Sequence, residues 1–133
     1  MREFVRLQTG VLLRRLASQV NRTARTGDAE QIHDMRVALR RLSRCLRVFA
    51  QFYPGHSCKR IRRRMADLTQ ACGRVRDRDI AIGLLEEAGV PPASPLVRQL
   101  DAERRAAQRA LRRELLGWKA RGFSRRWKVR LEL

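Results

Sequence analysis

Apolar residues return at every third or fourth position along most of the chain, the period of helices buried on one side. Phe4, Val5, Val11, Leu12, Leu16 and Val20 predict a first helix from Phe4 to about Arg25, broken at Thr26-Gly27. Asp28 reads as an N-cap with Gln31 at the third helical position, the pattern of a capping box. It opens a second helix to about Phe52, with Ile32, Met35, Leu39, Leu42, Leu46 and Phe49 as its apolar stripe. Tyr53 to Ser57, holding Pro54 and Gly55, predicts a turn. A third helix is expected from a Ser57 cap to about Gly73, with Ile61, Met65, Leu68 and Cys72 inward. A break or kink is expected over Gly73–Asp79. Asp77 and Asp79 then open a fourth helix that carries Ile80, Leu84 and Leu85 to Gly89. After a Val90–Ser94 linker, Ser94 and Pro95 signal a fifth helix to about Leu116. Leu96, Leu100, Ala107, Leu111 and Leu115 line one of its sides. No clean period holds beyond Gly117, so residues 118–133 are left unassigned. No alternating strand pattern and no repeat of solenoid length occurs. The expectation is one all-α domain over residues 1–133, an antiparallel helical bundle of four to five helices.

Charge changes this picture from a plain bundle to a polyanion partner. In 133 residues, 31 Lys+Arg face 13 Asp+Glu, a formal charge of +18. Such an excess repels itself unless an anion is near. Only Lys59, Lys119 and Lys128 are lysines. Arginine presents a planar fork that holds phosphate oxygens in pairs. Codon use in a GC-rich genome explains that ratio equally well, but not where the arginines fall. Three cysteines with no close CxxC pair argue against a disulfide scaffold or zinc site. Cys45 and Cys72 fall near apolar sides, and a reducing compartment is the simple inference. No signal-peptide pattern or membrane span is seen, so a cytoplasmic protein is expected.

The placement of the charges is specific. On the second helix His33, Arg36, Arg40, Arg44 and Arg47 lie within roughly 80° of arc, away from the core stripe. The third helix carries Lys59, Arg62 and Arg63 off its own core side. Antiparallel packing is expected to set these eight residues side by side as a cationic groove about 24 Å long. That length suits a linear polyanion. A solubilising surface is the alternative, but solvated helices alternate signs. Between Ile32 and Phe49 one acid, Asp34, stands among five arginines. The fifth helix, with mixed charges all round, reads as solvated surface.

Catalysis has little support. Neither a phosphate-binding GxxxxGK[ST] loop nor an HExxH motif occurs. His33 and His56 are far apart with no third metal ligand. Asp77 and Asp79 stand among arginines and read as ion-pair partners. No catalytic residue, metal or cofactor is assigned, and the chain is read as no enzyme. RNA or DNA is the rival ligand. Aromatics are only 5% and none interleaves with the basic row, which offers chiefly Ser43 to base edges. An acidic protein docking on the basic face is a third reading.

The run His33-Asp-Met-Arg36-Val-Ala-Leu-Arg40-Arg41-Leu42, followed by Cys72-Gly-Arg-Val-Arg76-Asp77, closely resembles the first half of the CHAD family, the conserved histidine α-helical domain. The resemblance spans roughly residues 5–115. It implies a helical domain that binds inorganic polyphosphate on a basic surface, in a family associated with polyphosphate granules. Members are often joined to a triphosphate-processing domain, which is not seen here. By position, His33, Arg36, Arg40, Arg41 and Arg44 match the signature helix. Lys59 and Arg63 match the following helix, and Arg76 and Asp77 its closing motif. Arg41 lies off the basic stripe and is expected to pair with Asp77 or Asp79 as a structural salt bridge. The family domain is usually about twice as long, two similar bundles with a second basic motif. A homodimer is therefore expected to restore the second basic helix, with Trp118 and Trp127 in the interface.

Overall fold

Five helices and no strand make up the computed structural model, which describes residues 1–133. Helix α1 is Arg2–Thr26, α2 Ala29–Val48, α3 Gly55–Glu87, α4 Pro95–Ala120 and α5 Phe123–Arg130, with a 3-10 turn at Ala50–Phe52. Gly27, at φ 64°, ends α1 in the left-handed region that glycine takes without a steric penalty. The Asp28 carboxylate accepts from the Gln31 backbone N–H at 2.8 Å, so the expected cap forms. The Gln31 side chain does not return the bond, because its Oε1 is buried without a partner.

Two expected boundaries are corrected. Helix α3 starts at Gly55, where the Cys58 N–H donates to the Pro54 carbonyl at 3.0 Å, and Ser57 lies inside the first turn rather than capping it. The break over Gly73–Asp79 does not occur: α3 runs through it for 33 residues, about 50 Å. A glycine inside a helix costs about 1 kcal/mol. The burial of Ala71, Cys72 and Val75 on either side offsets that cost. The unassigned tail is helical too: α4 continues through Trp118, and α5 follows a turn at Gly122, φ 60°.

One core of 25 buried residues draws on all five helices. Helix α1 packs mainly on α2 and α3 mainly on α4, while α5 closes against α1 and α4. Trp118, Phe123 and Trp127 meet edge to face with ring centroids 5.0–5.1 Å apart, the arrangement aromatic quadrupoles favour. Trp118 and Trp127 are 1% and 6% exposed, so they hold α5 to the core and offer nothing to a second copy. That corrects the interface expected for them. Tyr53, placed in the turn by sequence, is buried instead, with its hydroxyl hydrogen-bonded to Thr9 of α1.

The core is shorter than the helices. Burial on α3 stops at Val75, and on α4 only Val97 is buried before Leu111. Ile80, Leu84 and Leu96, read as inward from sequence, are therefore exposed on a two-helix hairpin, and Phe4 is exposed at the first turn of α1. Two ion pairs stitch the hairpin, Arg78 to Glu103 at 3.6 Å and Arg104 to Asp79 at 3.3 Å, and Arg105 pairs with Asp101 at 2.6 Å within α4.

The three cysteines are free, with Cys58 and Cys72 buried. Burial pushes the Cys72 thiol up to about 12, and burial also raises Cys58. At pH 8 Cys72 then stays a thiol, and the thiolate is the nucleophile. Alkylation of the native protein at pH 8 is expected to modify Cys45 and spare Cys72 and Cys58 until denaturant is added. Full labelling of all three at the rate of a free thiol would contradict this burial. Because the folded thiol titrates higher than the unfolded one, its contribution to stability is intact below about pH 9 and is lost as pH rises towards 12.

Candidate polyanion-binding groove

Burial of Ile32, Met35, Leu39, Leu42 and Leu46 fixes the rotation of α2 about its axis. At 100° per residue this fixes the basic row as well. His33, Arg36, Arg40, Arg44 and Arg47 all come to line one concavity of about 680 Å³ between α2 and α3. Ser43 joins them from α2, and Met65, Ala66, Thr69, Gln70 and Arg76 from α3.

The opposite wall has its own repeat. Arg62, Ala66, Thr69, Gly73 and Arg76 recur at spacings of four and three, which places them on one flank of α3. The middle three are small. Ala66 and Thr69 line the groove, and a Cβ added at Gly73 would meet nothing within 4 Å. Helices α2 and α3 accordingly pack less closely than α1 and α2. Small side chains open the cleft, and arginines line its rim.

Electrostatics inside the groove are one-sided. None of Arg36, Arg40, Arg44, Arg47 or Arg76 has a carboxylate within 4 Å; all four ion pairs in the protein lie on the α3–α4 hairpin. Arg40, Arg44, Arg47 and Arg76 are exposed, and Arg36 is half-buried. The Nε of Arg36 is shielded from solvent without a hydrogen-bond partner. A guanidinium that has shed water without gaining an acceptor stands ready for an anionic oxygen.

The third-helix half of the expected site is corrected. Lys59 is exposed and Arg62 half-buried, and neither lines the groove. Arg62 does share the α2-facing flank, and its Nε is also buried without a partner. Arg63 lines a different concavity, beside α5. Lys59 and Arg63 lie about 40° apart on α3, and Arg62 is roughly 60–100° round from them towards α2, so the trio straddles the edge of the groove instead of facing into it. The expected Arg41–Asp77 salt bridge is absent, and Asp79 pairs with Arg104 instead. Arg41 is exposed, about 180° round α2 from Ile32, so it projects away from α3.

Arg76, Thr69 and Gln70 are the lining residues that the sequence reading did not place in the site. Breaking the third helix at Gly73 lost its phase, and continuing the period through the glycine puts Arg76 beside Thr69. The groove offers one imidazole, five guanidinium groups and no carboxylate. No group of three His, Cys, Asp or Glu residues gathers anywhere to hold a metal ion. No helix is long and apolar enough to cross a membrane.

A family model described as the CHAD domain matches residues 10–132. No curated protein and no solved structure matches the chain.

Proposed function

Because the chain belongs to the CHAD domain family, we propose that it binds inorganic polyphosphate in the α2–α3 groove, as a binding protein that carries out no chemistry. The observation that supports this most is the row Arg36, Arg40, Arg44 and Arg47 with Arg76 opposite, free of carboxylates along a helix about 30 Å long. A linear phosphate chain offers anionic oxygens at short, regular intervals, and such a row offers paired donors at similar intervals. His33 extends the row as a further donor. Protein bound to such chains would concentrate at polyphosphate granules in the cytoplasm.

Nucleic acid presents the same phosphates spaced by sugars and bases. Single-strand binders add aromatic platforms, and no aromatic side chain lines the groove. Salt dependence does not separate the two ligands, because both release counterions. Competition does. Long-chain polyphosphate is expected to displace a fluorescent single-stranded RNA at a phosphate concentration about tenfold or more below that at which unlabelled RNA does so. Equal potency per phosphate would move the assignment to general nucleic-acid binding. An acidic protein partner would be marked by resistance to both polymers.

A further inference from the structure

A second cluster of arginines lies on the far side of α3. Arg60, Arg63 and Arg64 reach it from α3, Arg121 from the turn after α4, and Arg126 and Arg130 from α5. They surround a concavity of about 170 Å³ whose inner wall is Phe123 and Trp127. Arg60 and Arg64 lie about 160° round the helix from Arg62 and Arg76, measured between the midpoints of the two pairs. The cluster is thus separate from the α2–α3 groove, with α3 as the wall between them.

We propose that this concavity is a second anion site, and that it takes a compact inorganic oligophosphate of about triphosphate size. Six guanidinium groups face one carboxylate, Asp67, and none of the six has an ion-pair partner within 4 Å. On the α3–α4 hairpin, by contrast, crowded arginines stand beside acids. Like charges held in a concavity repel, and an anion relieves that repulsion. Burial first, then the nearby Arg121 and Arg126, push the Arg64 guanidinium below its ordinary value by more than Glu114 and Asp67 hold it up.

The Arg121 guanidinium lies over Gly117, where an added Cβ would come within 3.3 Å of Nη1. The cluster joins elements far apart in sequence, and the aromatic packing of α5 fixes their separation. The size of the concavity selects the ligand class: it is about a quarter of the groove's volume, too small for an extended polymer. Phe123 and Trp127 are 7% and 6% exposed, which leaves no ring face on which a base could stack.

The test is a titration of the full chain with sodium tripolyphosphate at about 0.1 M salt, read by calorimetry and by tryptophan fluorescence, since Trp127 lines the site. The double variant Arg121→Gln/Arg126→Gln is expected to lose affinity at least tenfold and to lose the fluorescence change. Arg60→Gln/Arg63→Gln removes the opposite wall and is expected to do the same. A charge-matched control on exposed residues of α1, Arg14→Gln/Arg15→Gln, is expected to change affinity less than about twofold. Equal losses in the control and either site variant would reduce the effect to net charge and overturn the site. Loss of the fluorescence response in a variant lacking Arg36, Arg40 and Arg44 would place tripolyphosphate in the groove and overturn it too. ATP binding tenfold tighter than tripolyphosphate would show that a base is read, against the inorganic assignment. The inference stands apart from the groove: a groove variant that keeps long-chain polyphosphate affinity refutes the groove alone.

Discussion

Replacing Arg36, Arg40 and Arg44 together by alanine is expected to lower long-chain polyphosphate affinity by about a hundredfold or more, with the fold retained. Each charge-assisted hydrogen bond contributes about 1.5–3 kcal/mol, and three losses that do not add fully still exceed the roughly 2.7 kcal/mol that corresponds to a hundredfold. Salt dependence should flatten in parallel, because fewer counterions are released when fewer cations meet the chain. Stability should hardly change. Arg40 and Arg44 are exposed, and Arg36 makes no ion pair and has a buried Nε without a partner, so its removal leaves no acid uncompensated. The same three changes should leave the thermal midpoint within a few degrees of the parent. A variant of unchanged affinity would refute the groove. A variant that unfolds would show that the row is structural.

Trp118→Ala is expected to have the largest effect on stability. Trp118 is 1% exposed and meets Phe123 and Trp127 at centroid distances of 5.0 and 5.1 Å. Truncating a buried tryptophan costs about 3–5 kcal/mol, against a total of about 5–15 kcal/mol for a domain. The midpoint should fall by about 10–20 °C. Because Trp118 is the residue on which α5 rests, residues 123–131 should also lose hydrogen-exchange protection before the α2 backbone does. A shift under about 3 °C would mean that the aromatic cluster is not what secures the C-terminal helix.

The two basic sites differ in how far the sequence reveals them. The row on α2 could be read directly, because one unbroken helix with a strong apolar stripe sets the phase of every residue on it. The α3 wall could be read only in part. Gly73 looked like a terminator, since local propensity says nothing about the burial of Ala71, Cys72 and Val75 that carries the helix through. Arg76 lies beyond that apparent stop and so falls outside the expected site; Lys59 and Arg63 lie before it, and they miss the groove because α3 is turned to bring Ala66 and Thr69 towards α2. Charge alone suggests Arg41 for Asp77 or Asp79; Arg41 instead projects away from α3, and Arg104 of α4, which packs along α3, takes Asp79.

The sequence by itself determined that this is an all-helical, strongly basic chain, where α1, α2 and α4 begin, and which five side chains share the cationic face of α2. These follow from a 3.6-residue period, caps and turn residues, all of which act within a few positions. Only the tertiary structure decided that α3 is a single helix, that small residues open a groove beside the α2 row, and that Trp118 and Trp127 are core. It also brought Arg121 and Arg126 to Arg60 and Arg64, more than fifty residues away. The physical reason is range: periodicity sets the face a residue takes on its own helix, whereas the partner of that face is chosen by burial among helices distant in sequence.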